Sequence, residues 1–179
     1  MTGAGMGAYR AIVTKRDTRR FAATPIADDI LHRILQSGRM AGSAKAAEPA
    51  RFVVVRDPAR RVELAACGNF TPHLKTAPVV IAVVLLPEVD QPEGTFAMWR
   101  GPFDGGRAAQ NMMVAAWAEG VASCPASMHD AAGAARVLAL PRGHVVANVV
   151  ALGYTAEADP TTGQRPRAPF DDYVHWERW

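Results

Sequence analysis

The run Val79–Leu86, VVIAVVLL, constrains the fold more than any other part of the chain. Eight consecutive apolar residues follow Pro78 with no polar alternation, and most of them are β-branched. β-Branched side chains favour extended backbone, and a strand without a polar face must be covered on both sides. The run is far too short to cross a bilayer, which takes about 20 residues as a helix. It predicts a strand packed between two layers of other elements. A chain of 179 residues, 49% hydrophobic and 21% charged, has the material for one domain (1–179) with such a core.

The segments around this strand punctuate clearly. Tyr9, Ile12 and Val13 fall at roughly helical spacing within Gly7–Lys15. After the break at Thr24–Pro25, Asp28 or Asp29 opens a second helix, with Ile30, Leu31, Ile34 and Leu35 on its apolar stripe. RFVVVR (51–56), a short β-branched run, reads as a buried strand. Asp57 and Pro58 then supply an N-cap and a first helical residue for a helix running through Cys67. Pro87 to Phe103, rich in Pro, Glu and Gly, reads as a loop. A long alanine-rich helix follows from Asp104 to Glu119, with Gly120 as its C-cap. VASCP is a short extended piece, Asp130–Leu138 a helix, and HVVANVVALGY a last buried strand. Mixed helices and strands of this kind give a layered α+β or α/β domain with a small covered sheet.

The chemistry is less forward. The chain has no nucleophile elbow, no HExxH, no phosphate-binding GxxxxGK[ST] and no GxGxxG after a strand. Cys67 and Cys124 stand far apart with no Cys/His cluster, which argues against structural zinc. The five histidines are scattered, and each taken alone reads as structural or exposed. Seventeen of the twenty basic residues are arginine, the side chain best shaped for carboxylates and phosphates, but the net charge is only +3. That excess is too small and dispersed to suggest a nucleic-acid partner. The N-terminus lacks the apolar core of an export signal, and a soluble, cytoplasmic protein is the expectation. Two basic stretches stand out: KRDTRR (15–20) and GQRPR (163–167). From composition alone they are solvated turns or the two walls of one anion site.

Four blocks in order resemble a known family. KRDTRRF is similar to an RRSxRRF pattern, and AGSAKAAEPARFVVV to PSxxNxQPWRFVVV. DGGRAAQNMMVAAWAEGVASCPASMHD is similar to DxGxAxQNLLLAAxxLGLGSCW, and VVANVVALGY to the family's last strand. Together they cover most of the chain and resemble the FMN-dependent nitroreductase-like flavoproteins. The resemblance implies a three-layer α+β fold, with a central, mostly antiparallel sheet wrapped by helices. It also implies a homodimer holding FMN at the subunit interface. The activity implied is transfer of two electrons from NADH or NADPH through FMN to a nitroaromatic, quinone or similar small-molecule acceptor. The same fold also admits a flavin-storing protein, a flavin-fragmenting relative and a deazaflavin-using relative.

Matched residue by residue, the resemblance assigns Lys15, Arg16 and Arg19 to phosphate, ribityl and ring contacts, and Arg165 and Arg167 to the phosphate. Asp17 replaces a serine and is expected at the flavin N3–H or orienting an arginine. Ser43, Ala44 and Lys45 fall in a loop reaching the flavin of the partner subunit, and His73 where relatives place a lysine or similar donor near the ring. Pro125, Ala126, Ser127 and Met128, following Cys124, match a turn beside N5 and the dimethylbenzene edge, where backbone N–H groups are expected to serve. Ala46, Glu48 and Ala50 depart from the pattern's Asn, Gln and Trp, and Met128 from a small residue. Met112, Met113 and Trp117 read as core or dimer interface, and the terminal HWERW as a clasp across the dimer.

Overall fold

The computed structural model describes residues 7–87, 97–156 and 167–179. A four-stranded antiparallel sheet in the order β1-β2-β4-β3 is built from β1 (Ala50–Val55), β2 (Val79–Leu85), β3 (Ala122–Ala126) and β4 (Val145–Gly153). β2 lies inside the sheet, and six of its seven residues are fully buried. This is the outcome its unbroken apolar sequence demands. It pairs with β1 from Val80–Val55 to Leu85–Ala50, and with β4 through an irregularity at Val83/Val84.

Two helical layers cover the sheet. On one face α2 (Asp28–Arg39) and α4 (Ala97–Ala118) pack Ile34, Met112, Met113 and Ala116 against Val79, Ile81 and Val83. On the other, α3 (Pro58–Ala66) and α5 (Ala131–Val137) pack Leu64, Ala65 and Ala134 against Val80, Ala82 and Val84. Alternate residues of one strand thus feed two separate cores, as the period-two geometry of a strand requires. The fold is the expected three-layer α+β arrangement.

Local signals act where the sequence places them. Asp57 accepts the Arg60 N–H at 2.8 Å and Pro58 opens α3. Asp130 likewise accepts the Gly133 N–H at 2.7 Å to start α5. Gly120, after α4, adopts φ +77, a left-handed conformation that suits glycine at a helix end. α1 (Ala8–Thr14) is short and leaves Tyr9, Ile12 and Val13 exposed.

Two expectations need correction. RFVVVR reads as a buried strand, yet β1 is an edge strand whose residues before Val55 are half-buried or exposed. The segment Pro87–Phe103 reads as loop, yet α4 begins at Ala97 and carries Pro102 within it. Residues 88–96 lie outside the described residues. Pro102 removes one helical hydrogen bond, which lowers the local propensity that sequence reasoning weighs. Packing overrides it: a Cβ at Gly105 would stand 3.2 Å from Leu85 Cδ2, so this turn of α4 rests directly on β2. Met112 and Met113 are buried core residues, as expected.

Candidate functional site

β3 is an edge strand, and the chain after α1 lies along its free side. Asp17 forms a parallel bridge with Ser123, and the Thr18 N–H donates to the Ser123 carbonyl at 3.0 Å. The strap continues to Phe21, which bridges Thr155, and the Ala22 N–H reaches the Tyr154 carbonyl at 2.8 Å. Pro125 lies two residues beyond Ser123, on the same outward side of β3. Its missing N–H costs the sheet nothing there. The N–H groups of this turn are only partly open to a ligand. Pro125 has none, and Ala126 pairs with Val149.

α1 is anchored from below. The Trp117 indole on α4 donates to Thr14 Oγ1 at 2.9 Å, and that hydroxyl donates to the Arg10 carbonyl at 2.7 Å. This fixes where Lys15 begins. Its side chain is only 10% exposed, its Nζ lies 3.6 Å from Met113 Sδ, and it is ion-paired with Asp17. Among the described residues, the cation that Asp17 pairs with is Lys15, not an arginine. Arg16 turns back on α1, donating to the Val13 and Lys15 carbonyls at 3.0 and 2.8 Å. Arg19 is exposed at the rim of an open pocket of about 620 Å³, lined also by Arg20, Phe21, Asn69, Phe70, Pro72, His73 and Thr76.

His73 sits on the tight turn Pro72–Lys75, is 5% exposed, and has no partner on either ring nitrogen among the described residues. Burial pushes its pKa below the usual histidine value; the Arg19 guanidinium adds to this and the Asp17 carboxylate opposes it. Cys124 is fully buried, and burial pushes its thiol up to about 11, against the opposing pull of Arg19 and Lys15 and with the help of Asp17. It is a neutral packing group, not a nucleophile. Arg19 and Asp17 act electrostatically on both His73 and Cys124, in opposite directions.

The turn after β3 closes the rim. The Asp130 N–H donates to the Cys67 carbonyl at 2.9 Å, and the Asn69 N–H to His129 Nδ1 at 3.3 Å. Phe70, 80% exposed, meets the His129 ring edge-on at 6.3 Å between centroids. Ser127 is exposed, whereas Met128 packs toward the α3/α5 core. Asn69, Phe70 and His129 were not singled out for this site in the sequence. They are ordinary residue types there, and only the contact between two loops 60 residues apart brings them together.

The structure thus brings Arg19 and His73 onto one pocket and pairs Lys15 with Asp17 on the strap that runs beside β3. Within one chain it does not add the remaining expected residues. Ser43, Ala44 and Lys45 precede β1, at the opposite edge of the sheet from β3, across β2 and β4. Three interstrand spacings put the two edges about 14 Å apart. The loop is held by the Ala44 N–H donating to buried Asp104 at 3.1 Å and the Glu48 N–H donating to Ser43 Oγ at 2.9 Å. It borders a second cavity, of about 440 Å³, between α2, β1 and α4. Arg167 is exposed, and among the described residues no hydrogen bond or ion pair joins it to the strap. Arg165 lies outside the described residues.

A helix-covered antiparallel sheet with a cation-rimmed pocket beside its edge strap defines the class, a three-layer α+β protein. The chain belongs to the nitroreductase family, whose profile matches residues 12–67 and 66–154. Relatives include an NADPH-flavin oxidoreductase of Vibrio harveyi, 28% identical over 92% of this chain and 71% of that one. An NADH dehydrogenase of Thermus thermophilus is 27% identical over 96% of each. Among solved structures, the NADPH:FMN oxidoreductase of V. harveyi complexed with NAD+ superposes with a TM-score of 0.85 at 26% identity, covering 96% of this chain and 77% of that one. Nitroreductase A of Vibrio parahaemolyticus gives 0.87 at 24% identity, covering 97% and 77%, a likeness of fold. No helix among the described residues is long and apolar enough to cross a membrane.

Proposed function

We propose that the chain is a cytoplasmic, single-domain FMN-dependent oxidoreductase that takes electrons from NADH or NADPH. It passes them to a small-molecule acceptor such as a nitroaromatic or quinone in a two-step, ping-pong cycle. The observation that carries this reading is the meeting of exposed Arg19 and Arg20 with buried His73, unpartnered among the described residues, on one pocket. The likeness to the V. harveyi NADPH-flavin oxidoreductase supports it.

These residues fit FMN. The pocket has the volume typical of a cofactor site, and exposed Arg19 at its mouth suits a phosphate dianion. His73 supplies a buried donor and acceptor that no group among the described residues satisfies. When bound, FMN supplies the hydride-accepting and hydride-donating chemistry. The protein's part is binding, orientation and electrostatics. Arg19 draws the anion in, and Lys15, steadied by Met113 and Asp17, holds a fixed positive charge at the back of the strap. Phe70 and His129 form an aromatic shelf at the rim for a planar ligand.

The active unit is a homodimer with a site completed by the partner's Ser43–Lys45 loop. Tyr9, Met40, Phe103, Phe170, Tyr173, Trp176 and Trp179 are all exposed in the single chain, more large apolar surface than an isolated subunit leaves open. The purified protein should be yellow and release FMN on denaturation. Anaerobic NADH or NADPH should bleach it. A colourless preparation that FMN cannot reconstitute overturns the reading, while colour that only dithionite bleaches favours a flavin store or another donor. Arg167→Ala should loosen FMN more than Arg178→Ala; equal retention removes Arg167 from the phosphate site.

A further inference from the structure

His73 is the strongest anomaly in the site. Among the described residues, both of its ring nitrogens are buried and without a protein partner, and buried polar groups almost always have one from protein, water or ligand. A neutral imidazole offers one donor and one acceptor, so whatever satisfies it must both give and take hydrogen bonds or change its charge. Resting on the FMN reading above, we propose that His73 is the proton-exchanging group of the site. It is neutral while the bound cofactor is oxidised and takes a proton from solvent when the cofactor is reduced.

The charged surroundings set both states. From the strap, Arg19 and Asp17 act on the ring, with Lys15 ion-paired to Asp17 and Arg20 on the pocket wall. From α3, Arg61 is engaged by the Lys75 and Ala77 carbonyls. On the turn itself Lys75 is exposed, and across Phe70 the His129 Nδ1 is taken by Asn69. Cys124, on β3, is a neutral thiol. Burial and Arg19 therefore hold His73 neutral, and only Asp17 pulls the other way. Hydride transfer from NAD(P)H moves two electrons and one hydrogen nucleus to the cofactor, which gains one negative charge as NAD(P)+ leaves. That new anion offsets Arg19 and joins Asp17, so His73 binds one solvent proton and becomes imidazolium. Reoxidation by the acceptor reverses both changes, and the proton returns to solvent.

The test uses FMN-loaded protein with ¹⁵N-labelled histidine, observed by NMR oxidised and then reduced by dithionite. His73, identified among the five histidines by its absence in His73→Gln, should change from a neutral ring to imidazolium. In parallel, the midpoint potential of the wild type should fall by about 59 mV per pH unit above neutrality, and that of His73→Gln by about 30 mV, the difference being one proton per two electrons. A ring that stays neutral on reduction, or equal slopes in the two proteins, overturns the proposal. If the variant does not fold, sequential assignment of the wild-type histidine resonances identifies His73 instead, and the oxidised and reduced wild-type spectra decide. Failure to retain FMN at all overturns the functional reading as well; retained FMN with an unchanged His73 overturns this inference alone.

Discussion

The two edges of the sheet treat their backbone in opposite ways. At the β3 edge the strap from Asp17 to Ala22 pairs with Ser123, Tyr154 and Thr155, and its charges converge on a pocket within the same chain. At the β1 edge the loop before Ala50 holds Lys45, Ala46 and Glu48, none of them glycine, at φ between +46 and +55. Each such residue costs on the order of 1 kcal/mol, and a protein keeps that strain where the surroundings over-determine it. One edge builds a wall that serves its own subunit. The other holds a strained, exposed shape with no matching cluster among the described residues, which is the form expected of a loop offered to a partner.

The contrast can be broken first at the strap. A Cβ at Gly153 would lie 2.6 Å from Pro78 Cδ and 2.9 Å from Phe21 Cδ1. Gly153→Ala should cost about 2–3 kcal/mol. Calorimetry should show Tm falling by roughly 4–12 °C; an unchanged Tm would mean that Phe21 is not firmly seated.

Ligand binding probes the same edge next. Arg19→Ala should weaken FMN binding tenfold to a hundredfold, or about 1.4–2.8 kcal/mol, measured by fluorescence titration. Lys45→Ala should weaken it by a smaller factor, and only in protein concentrated enough to be dimeric. An equal loss from fully monomeric protein would place both edges in one subunit's site.

Relief of strain comes third. Ala46→Gly should stabilise the protein by up to about 1 kcal/mol, because glycine tolerates φ +53 that alanine resists. No gain in a denaturant midpoint would remove the strain from the argument.

The smallest effect is a pH dependence of the FMN-free protein. His73 has a lower pKa folded than unfolded, so below about pH 6.5 the unfolded chain binds more protons. Stability should therefore decline as pH falls from about 6.5 toward the folded pKa, and His73→Gln should lack that part of the decline. Urea titrations at several pH values would detect it.

Much of the fold was legible because it depends on local chemistry. VVIAVVLL could only be a covered strand, and Asp57–Pro58 could only open a helix cheaply. The start of α4 was not legible, since Pro102 argues against a helix that packing on β2 sustains. Within the candidate site, the basic stretch was visible as residue types but its division of labour was not. Arg16 binds its own helix, Lys15 is tied to Asp17, and Arg19 alone of the three faces the pocket.

The sequence by itself determined the elements, the double-sided core and the family, since periodicity, capping and ordered motifs are written along the chain. Tertiary structure decided the strand order, the strap along the β3 edge, the meeting of Asn69 with His129 and the lone burial of His73. Those depend on which distant surfaces exclude water together, and no local pattern encodes that.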